Sequence, residues 1–147
     1  MKGYMPAGST EILEKFINCM MKGGKKNISR QILKDCFEEL RKLGRKEPSE
    51  SFEAAVRMVM PQVEVRPKRV GGAIYQIPME VTSNRQLSLS IRWILTASRK
   101  RKGVPMYKRL ALEIHDSLNE QGEAYKKKID VKRMAEANKA FAHFSNY

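Results

Sequence analysis

The stretch from Val63 to Val81 constrains this chain more than any other. It reads as two extended runs meeting at Gly71-Gly72, with Val-Glu-Val-Arg-Pro-Lys-Arg-Val before the glycines and Ala-Ile-Tyr-Gln-Ile-Pro-Met-Glu-Val after them. Everything on either side has helical periodicity, so the pair of strands has no sheet to join. Two strands alone are only marginally stable in water, and such a hairpin must pack on helices or project and be held by a partner. Arg66, Lys68 and Arg69 crowd beside its tip, which makes that partner polyanionic.

Apolar spacing predicts six helices around this arm. The first runs over about 10–22, with Ile12, Leu13, Phe16, Ile17, Met20 and Met21 on its face and Ser9 as its cap. Gly23-Gly24 ends it, and a second follows over about 27–43 until Gly44 closes it. Pro48 suits the first turn of a third, over about 48–60, whose face is Phe52, Ala55, Val56 and Val59. The arm occupies about 63–81, and a fourth helix over about 84–102 places Leu87, Ile91, Ile94 and Ser98 on one face. Arg85, Arg92 and Arg99 fall on the opposite side, while Leu89 and Trp93 sit on a shoulder suited to a second packing contact. A fifth helix follows Pro105 over about 105–121, with Gly122 as its end. A sixth, over about 127–144, puts Val131, Met134, Ala135, Asn138, Phe141 and Ala142 in register. The expected fold is mainly α: one six-helix domain over 1–147 with a two-stranded β-hairpin protruding between the third and fourth helices.

Charge narrows the partner. Lys and Arg number 29 against 16 Asp and Glu, a formal net charge of +13, which points to nucleic acid or another anionic surface. The excess gathers in four places: Lys22, Lys25, Lys26 and Arg30; the arm; the span holding Arg92, Arg99, Lys100, Arg101, Lys102 and Arg109; and Lys126, Lys127, Lys128, Lys132 and Arg133. With Arg85, the third group meets no carboxylate between Val81 and Leu112, so a strong positive field is expected there. Phosphate contacts position a nucleic acid without reading its sequence. Specificity would then come from the shape of a folded RNA matched by separated patches. Tyr75 suits stacking on an unpaired base, and equally a packing role against the neighbouring strand.

Signals for catalysis, metal or cofactor are weak. Gly24-Lys25-Lys26 resembles a phosphate loop, but Cys19 stands where the earlier glycine belongs and Lys26 where Ser or Thr belongs. His115 and His143 lack neighbouring ligands at metal spacing, and Asp116 beside His115 faces elsewhere on a helix. Cys19 and Cys36 are too few and too far apart for a disulfide framework, and both read as reduced core thiols. No apolar run is long enough to span a bilayer, and Met1 to Ser9 show neither a signal-peptide core nor an Arg-rich presequence.

With these residues laid out, the chain closely resembles the bacterial-type small-subunit ribosomal protein seven family. The resemblance rests on Met-Met-Lys-Gly-Gly-Lys-Lys at 20–26, the whole of 63–81, Ser-Ile-Arg-Trp-Ile-Leu at 90–95 and Arg-Met-Ala-Glu-Ala-Asn-Lys-Ala-Phe-Ala-His-Phe at 133–144. It implies a non-catalytic constituent of the small ribosomal subunit that binds the three-prime major domain of its rRNA and nucleates assembly of the head. The arm is then expected near the exit-site tRNA and the mRNA, beside neighbouring small-subunit proteins, in a chain that does not self-associate. Carried over residue by residue, the rRNA-facing set comprises Lys22, Lys25, Lys26, Arg30, Arg85, Arg92, Arg99, Lys100, Arg101, Lys102, Arg109, Lys126, Lys127, Lys128, Lys132 and Arg133. Arg66, Lys68, Arg69, Gly71, Gly72 and Tyr75 form the tRNA- and mRNA-proximal arm. The resemblance implies no metal and no cofactor.

Two departures concern the chain ends. Relatives often begin with a longer basic tail, whereas only Lys2 is basic here before the first helix, and Ser145-Asn146-Tyr147 replaces the usual basic and aromatic finish. Both fit an organellar source, mitochondrial or plastid, with bacterial cytoplasm as the alternative. A rival of another class is a free helix-turn-helix regulator of DNA or RNA, built from the second and third helices around Gly44 to Pro48. Its second helix would offer only Arg57 as a basic group, too few for a recognition helix. An RNA-modifying enzyme, whose catalytic geometry leaves no trace in a single sequence, is the third reading.

Overall fold

A computed structural model describes residues 5–146, so Lys2 and Tyr147 lie outside the described residues. The element order is α1 (Glu11–Met20), α2 (Lys26–Lys42), α3 (Pro48–Val59), β1 (Val63–Val70), β2 (Ala73–Glu80), α4 (Ser83–Lys100), α5 (Met106–Leu118) and α6 (Glu123–Ala137). A 3-10 helix, Lys139–Asn146, ends the described chain. The mainly helical class and the antiparallel arm between the third and fourth helices agree with the sequence reading.

The core forms where the apolar stripes of five helices meet. Phe16 of α1 and Phe52 of α3 pack edge to face at 4.7 Å, among fully buried Leu40, Val56, Ile91, Ile94, Leu110 and Ile114. Each such side chain stabilises by roughly 1.5–3 kcal/mol when removed from water. α5 is the central element, lying against α2, α3 and α4. Buried hydroxyls are satisfied locally: Ser90 Oγ donates to the Val56 carbonyl at 2.6 Å and so ties α4 to α3. Ser98 Oγ donates to Ile94 O at 2.8 Å, which explains a serine on the dry face of α4.

Three local expectations are corrected. Thr10, in extended conformation, caps α1 by accepting from Leu13 N, while the Ser9 hydroxyl donates to Glu14 instead. Cys19 is exposed, because it falls about 100° from Met20 and 200° from Ile17, outside the buried stripe of α1. Cys36 is buried, and that burial pushes its thiol pKa up. Gly122 does not end α5. α5 stops at Leu118, with Glu120 taking the left-handed conformation (φ 58°), and Gly122 (φ 89°) stands at the start of α6.

The sixth helix shows the largest difference. It begins at Glu123, earlier than expected, because the buried Glu113 carboxylate accepts the Ala124 N–H at 2.9 Å and satisfies an otherwise orphan donor. It ends at Ala137, where the Asn138 side chain and backbone both donate to Met134 O, and the chain tightens into the 3-10 helix. The register joining Val131 to Ala142 is therefore broken, and Phe141 turns toward the arm.

Pairing in the arm runs from Val63 opposite Glu80 to Val70 opposite Ala73. Gly71 (φ 58°) and Gly72 (φ 85°) supply the two positive φ values that a tight type I′ turn requires. Ile77 anchors the base of the arm at 1% exposure. The middle of the arm rests on the C-terminal 3-10 helix, where Tyr75 meets Phe141 at 4.9 Å and Phe144 at 5.3 Å. Tyr75 thus has its packing role, but against the C-terminal segment rather than the neighbouring strand.

Candidate nucleic-acid interface

The long amphipathic α4 organises the cationic surface. Ile91, Ile94, Leu95 and Ser98 are buried, and Arg92 and Arg99 are exposed on the outer side, as the angular spacing requires. Leu89 is buried and Trp93 half-buried, the second packing contact of the shoulder. Successive helical residues point about 100° apart, so the last turn of α4 sends Arg99 and Lys100 into different grooves. Arg99 joins Lys22, Lys25 and Arg109 around an opening of about 300 Å³ between the α1–α2 loop and α5. Lys100 joins Lys126 and Lys127 in a second groove, of about 230 Å³, against α6. Lys128 and Lys132 line a third, of about 560 Å³, at the base of the arm. Clusters far apart in sequence are thereby brought together in pairs.

Several of the sixteen expected rRNA-facing cations are turned inward. Arg101 lies on Glu113 at 2.9 Å and Asp116 at 2.5 Å, and it is only 29% exposed. Burial alone would pull its pKa down, but the hydrogen bonds to Asp116 and Glu113 raise it. Arg30 makes a two-pronged contact with Glu14 at 2.7 and 2.8 Å, and Lys26 approaches the same carboxylate at 3.8 Å. The Arg30 hydrogen bond holds Glu14 below the ordinary carboxylate range, against the opposing effect of burial. Arg85 and Arg66 share Glu64, at 3.4 and 2.7 Å. Arg109 Nε donates to Val104 O at 2.6 Å, and Lys128 Nζ donates to Met58 O at 2.7 Å. Burial lowers the Lys128 pKa, and Lys132 beside it lowers it further. On the arm, Lys68 Nζ donates to Phe144 O at 3.1 Å.

Lys22, Lys25, Arg92, Arg99, Lys100, Lys102, Lys126, Lys127 and Lys132 are exposed and have no carboxylate within ion-pair distance among the described residues. Arg133 is exposed too, with Asp130 4.0 Å away. Arg69, Gly71 and Gly72 are exposed at the arm tip. The strong positive field expected between Val81 and Leu112 is thus trimmed at both ends, while Arg92, Arg99, Lys100 and Lys102 stay open. Glu113 and Asp116 offset its end and Glu64 its beginning, through contacts made across the fold.

Sequence reading missed the acids that divide the cations in this way. Glu64 and Glu14 leave no local signal, since their partners lie on other elements. Glu113 did leave one, because it shares the buried spacing of Leu110, Ile114 and Ser117, and an acid on a dry helix face requires a partner.

The helix-turn-helix reading fails on α3. Phe52, Ala55, Val56 and Val59 are buried in the common core, leaving Glu50 and Arg57 as its exposed charges. A recognition helix needs a free face with several contact groups. Among the described residues no group of His, Cys, Asp or Glu is arranged to hold a metal ion, and no helix is long and apolar enough to cross a membrane.

Open cations in separate grooves on a helical body, with a charged hairpin beside them, define a polyanion-binding domain. Residues 4–139 match the family described as Ribosomal protein S7p/S5e. The chain is 50% identical to the small ribosomal subunit protein uS7 of Dictyoglomus thermophilum over 139 residues, 95% of this chain and 89% of that protein. It is 51% identical to that of Helicobacter hepaticus over 139 residues, 95% and 90% of the two chains. Against that of Roseiflexus sp. it is 46% identical over 142 residues, 97% and 90% of the two chains. The chain therefore belongs to the S7p/S5e family and is a ribosomal protein, not an enzyme.

Proposed function

We propose that this chain is a structural constituent of the small ribosomal subunit and acts in translation as a primary binder of the three-prime major domain of its rRNA, nucleating the head. The observation that carries the reading is the pair of cationic grooves on either side of the end of α4, one holding Arg99, Lys22, Lys25 and Arg109 and the other Lys100, Lys126 and Lys127. Two openings that diverge from one helix suit a folded RNA that reaches both, and phosphates in them would release counterions. The arm, with Arg69 exposed beside Gly71-Gly72, extends toward exit-site tRNA and mRNA, with neighbouring small-subunit proteins around it. The chain works as a single copy.

Footprinting on a head-domain transcript, with the protein titrated at moderate and high salt, tests this. Localised protection that weakens steeply with salt is expected, and saturation without localised protection overturns it. Removing the tip from Lys68 to Tyr75 should spare primary binding and disturb contacts at the tRNA exit position, and unchanged reading-frame fidelity in ribosomes with the short arm would remove that assignment. The compared relatives are bacterial. An organellar source, mitochondrial or plastid, is the finer reading, and recovery of the chain with small subunits from an organelle fraction, rather than from bacterial cytoplasm, is its test.

A further inference from the structure

The opening beside Arg99 differs from the other two grooves in what lies at its bottom. Its floor is Met20, Met21, Ile32 and Met106, its rim is Lys22, Lys25, Arg99 and Arg109, and no carboxylate lines it. The groove against α6 includes Glu123 and Asp130, and the one at the arm base includes Glu80 and Glu136. Ile28 stands at this opening 56% exposed, one of few large apolar side chains so placed among the described residues. The core does not account for it, since Leu33, Cys36 and Leu40 form the buried stripe of α2.

A flat cationic patch serves phosphates on a duplex. A cationic rim over an apolar floor suits a group with an anionic edge and a flat, weakly polar body. An unpaired nucleotide is such a group, with its phosphates at the rim and its base below. The volume of about 300 Å³ admits one base with room for its ribose. The methionine thioethers are polarisable and adapt to a planar ring of any of the four bases.

We propose that this pocket receives one unstacked base of the bound RNA, with the flanking phosphates held by Lys22, Lys25, Arg99 and Arg109. The inference rests on the rRNA-binding reading and deepens it by naming what one groove holds. Duplex RNA hides its base faces, so the nucleotide lies in a loop, bulge or junction. Binding at this pocket has two separable parts: a salt-dependent part at the rim and a salt-independent part at the floor, because burying apolar surface releases no counterions.

The test uses the full chain and a transcript of the three-prime major domain carrying photoreactive analogues of each base in turn. Irradiation is expected to join one unpaired nucleotide to Met20, Met21, Ile28 or Met106. Ile28→Ala combined with Met106→Ala should weaken binding roughly tenfold, the equivalent of about 1.4 kcal/mol, without changing the slope of affinity against salt. Lys25→Ala should lower that slope by roughly 0.7–0.9. Because Met106 is half-buried, Ile28→Ala alone, at an exposed position, serves as the variant whose melting must match the parent. Saturable binding with no crosslink to the floor, or with affinity unmoved by the floor variants, overturns the pocket and leaves the RNA-binding reading standing. Absence of saturable binding by the parent chain overturns both.

Discussion

The outer face of α4 and the junction just beyond its last turn carry the same residue type and use it oppositely. Arg92 and Arg99 stand in solvent without an acidic partner among the described residues, whereas Arg101 folds back onto Glu113 and Asp116. A cation held within 3 Å of a carboxylate adds little to the potential felt by a distant phosphate, while an unpaired one adds its full field. The first arrangement holds elements together, and the second faces outward. Charge counted along the chain therefore overstates the surface open to a polyanion, and acids contributed by other elements decide where it is open.

The sharpest way to break this comparison is to remove the acid at the junction. Glu113 is fully buried, and it accepts from Arg101 on one oxygen and from the Ala124 N–H on the other. Glu113→Ala leaves the Ala124 N–H without its acceptor and takes one of two carboxylates from Arg101, which keeps Asp116, and a loss of about 1–3 kcal/mol is expected. Glu113→Gln retains one acceptor and should cost less. Urea unfolding measures both, and a change in Glu113→Ala below about 0.5 kcal/mol would mean that the junction does not hold α6 to α5.

The outer face should give the converse result. Arg92→Glu with Arg99→Glu is expected to leave the unfolding free energy within about 0.5 kcal/mol of the parent, as exposed substitutions usually do. Binding to head-domain RNA should weaken strongly, with the salt slope falling by about 1.4–1.8 for two lost phosphate contacts. A large drop in melting temperature would show instead that the stripe is packed within the fold.

What was legible in the chain follows the same division. Periodicity placed Ile91, Ile94 and Ser98 inside and Arg92 and Arg99 outside, because one helix settles that by its own geometry. The arm was readable because Gly71-Gly72 between extended runs specifies a local turn. The end of α6 was not, since Phe141 and Ala142 keep helical spacing with Val131, and only the contact with Tyr75 shows that the chain has left the helix. The inward turn of Arg30 and Arg85 was equally hidden, because Glu14 and Glu64 lie 16 and 21 residues from their partners, whereas Glu113 on the dry face of α5 signals that a partner is needed but not that Arg101 supplies it. Local rules report the element, and pairing between elements is a property of the assembled fold.

The arm repeats the comparison on a smaller scale. Lys68 is tied to Phe144 O beside the Tyr75 ring, while Arg69 next to it is exposed at the tip. Tyr75→Ala removes ring contacts with Phe141 and Phe144, each worth about 0.5–1.5 kcal/mol beyond burial. Hydrogen exchange in β2 and the C-terminal 3-10 helix should speed up, with global unfolding little affected, because the body core does not include these rings. Unchanged exchange there would mean that strand pairing alone orders the arm.

The smallest effect expected is at Glu14, where acid should neutralise one partner of an ion pair. Arg30 holds the Glu14 pKa below its ordinary 4.5 in the folded chain. A depressed carboxylate contributes stability that is fully present above the unfolded value and is lost as pH falls through the lower folded value. The difference in melting temperature between the parent and Glu14→Gln should therefore be constant near neutrality and shrink below pH 4.5. Its size at neutral pH stays under about 1 kcal/mol, because Arg30 is partly exposed and solvent screens the pair. A melting difference that persisted unchanged to pH 3 would show that Glu14 acts through its hydrogen bond with Ser9 rather than through its charge.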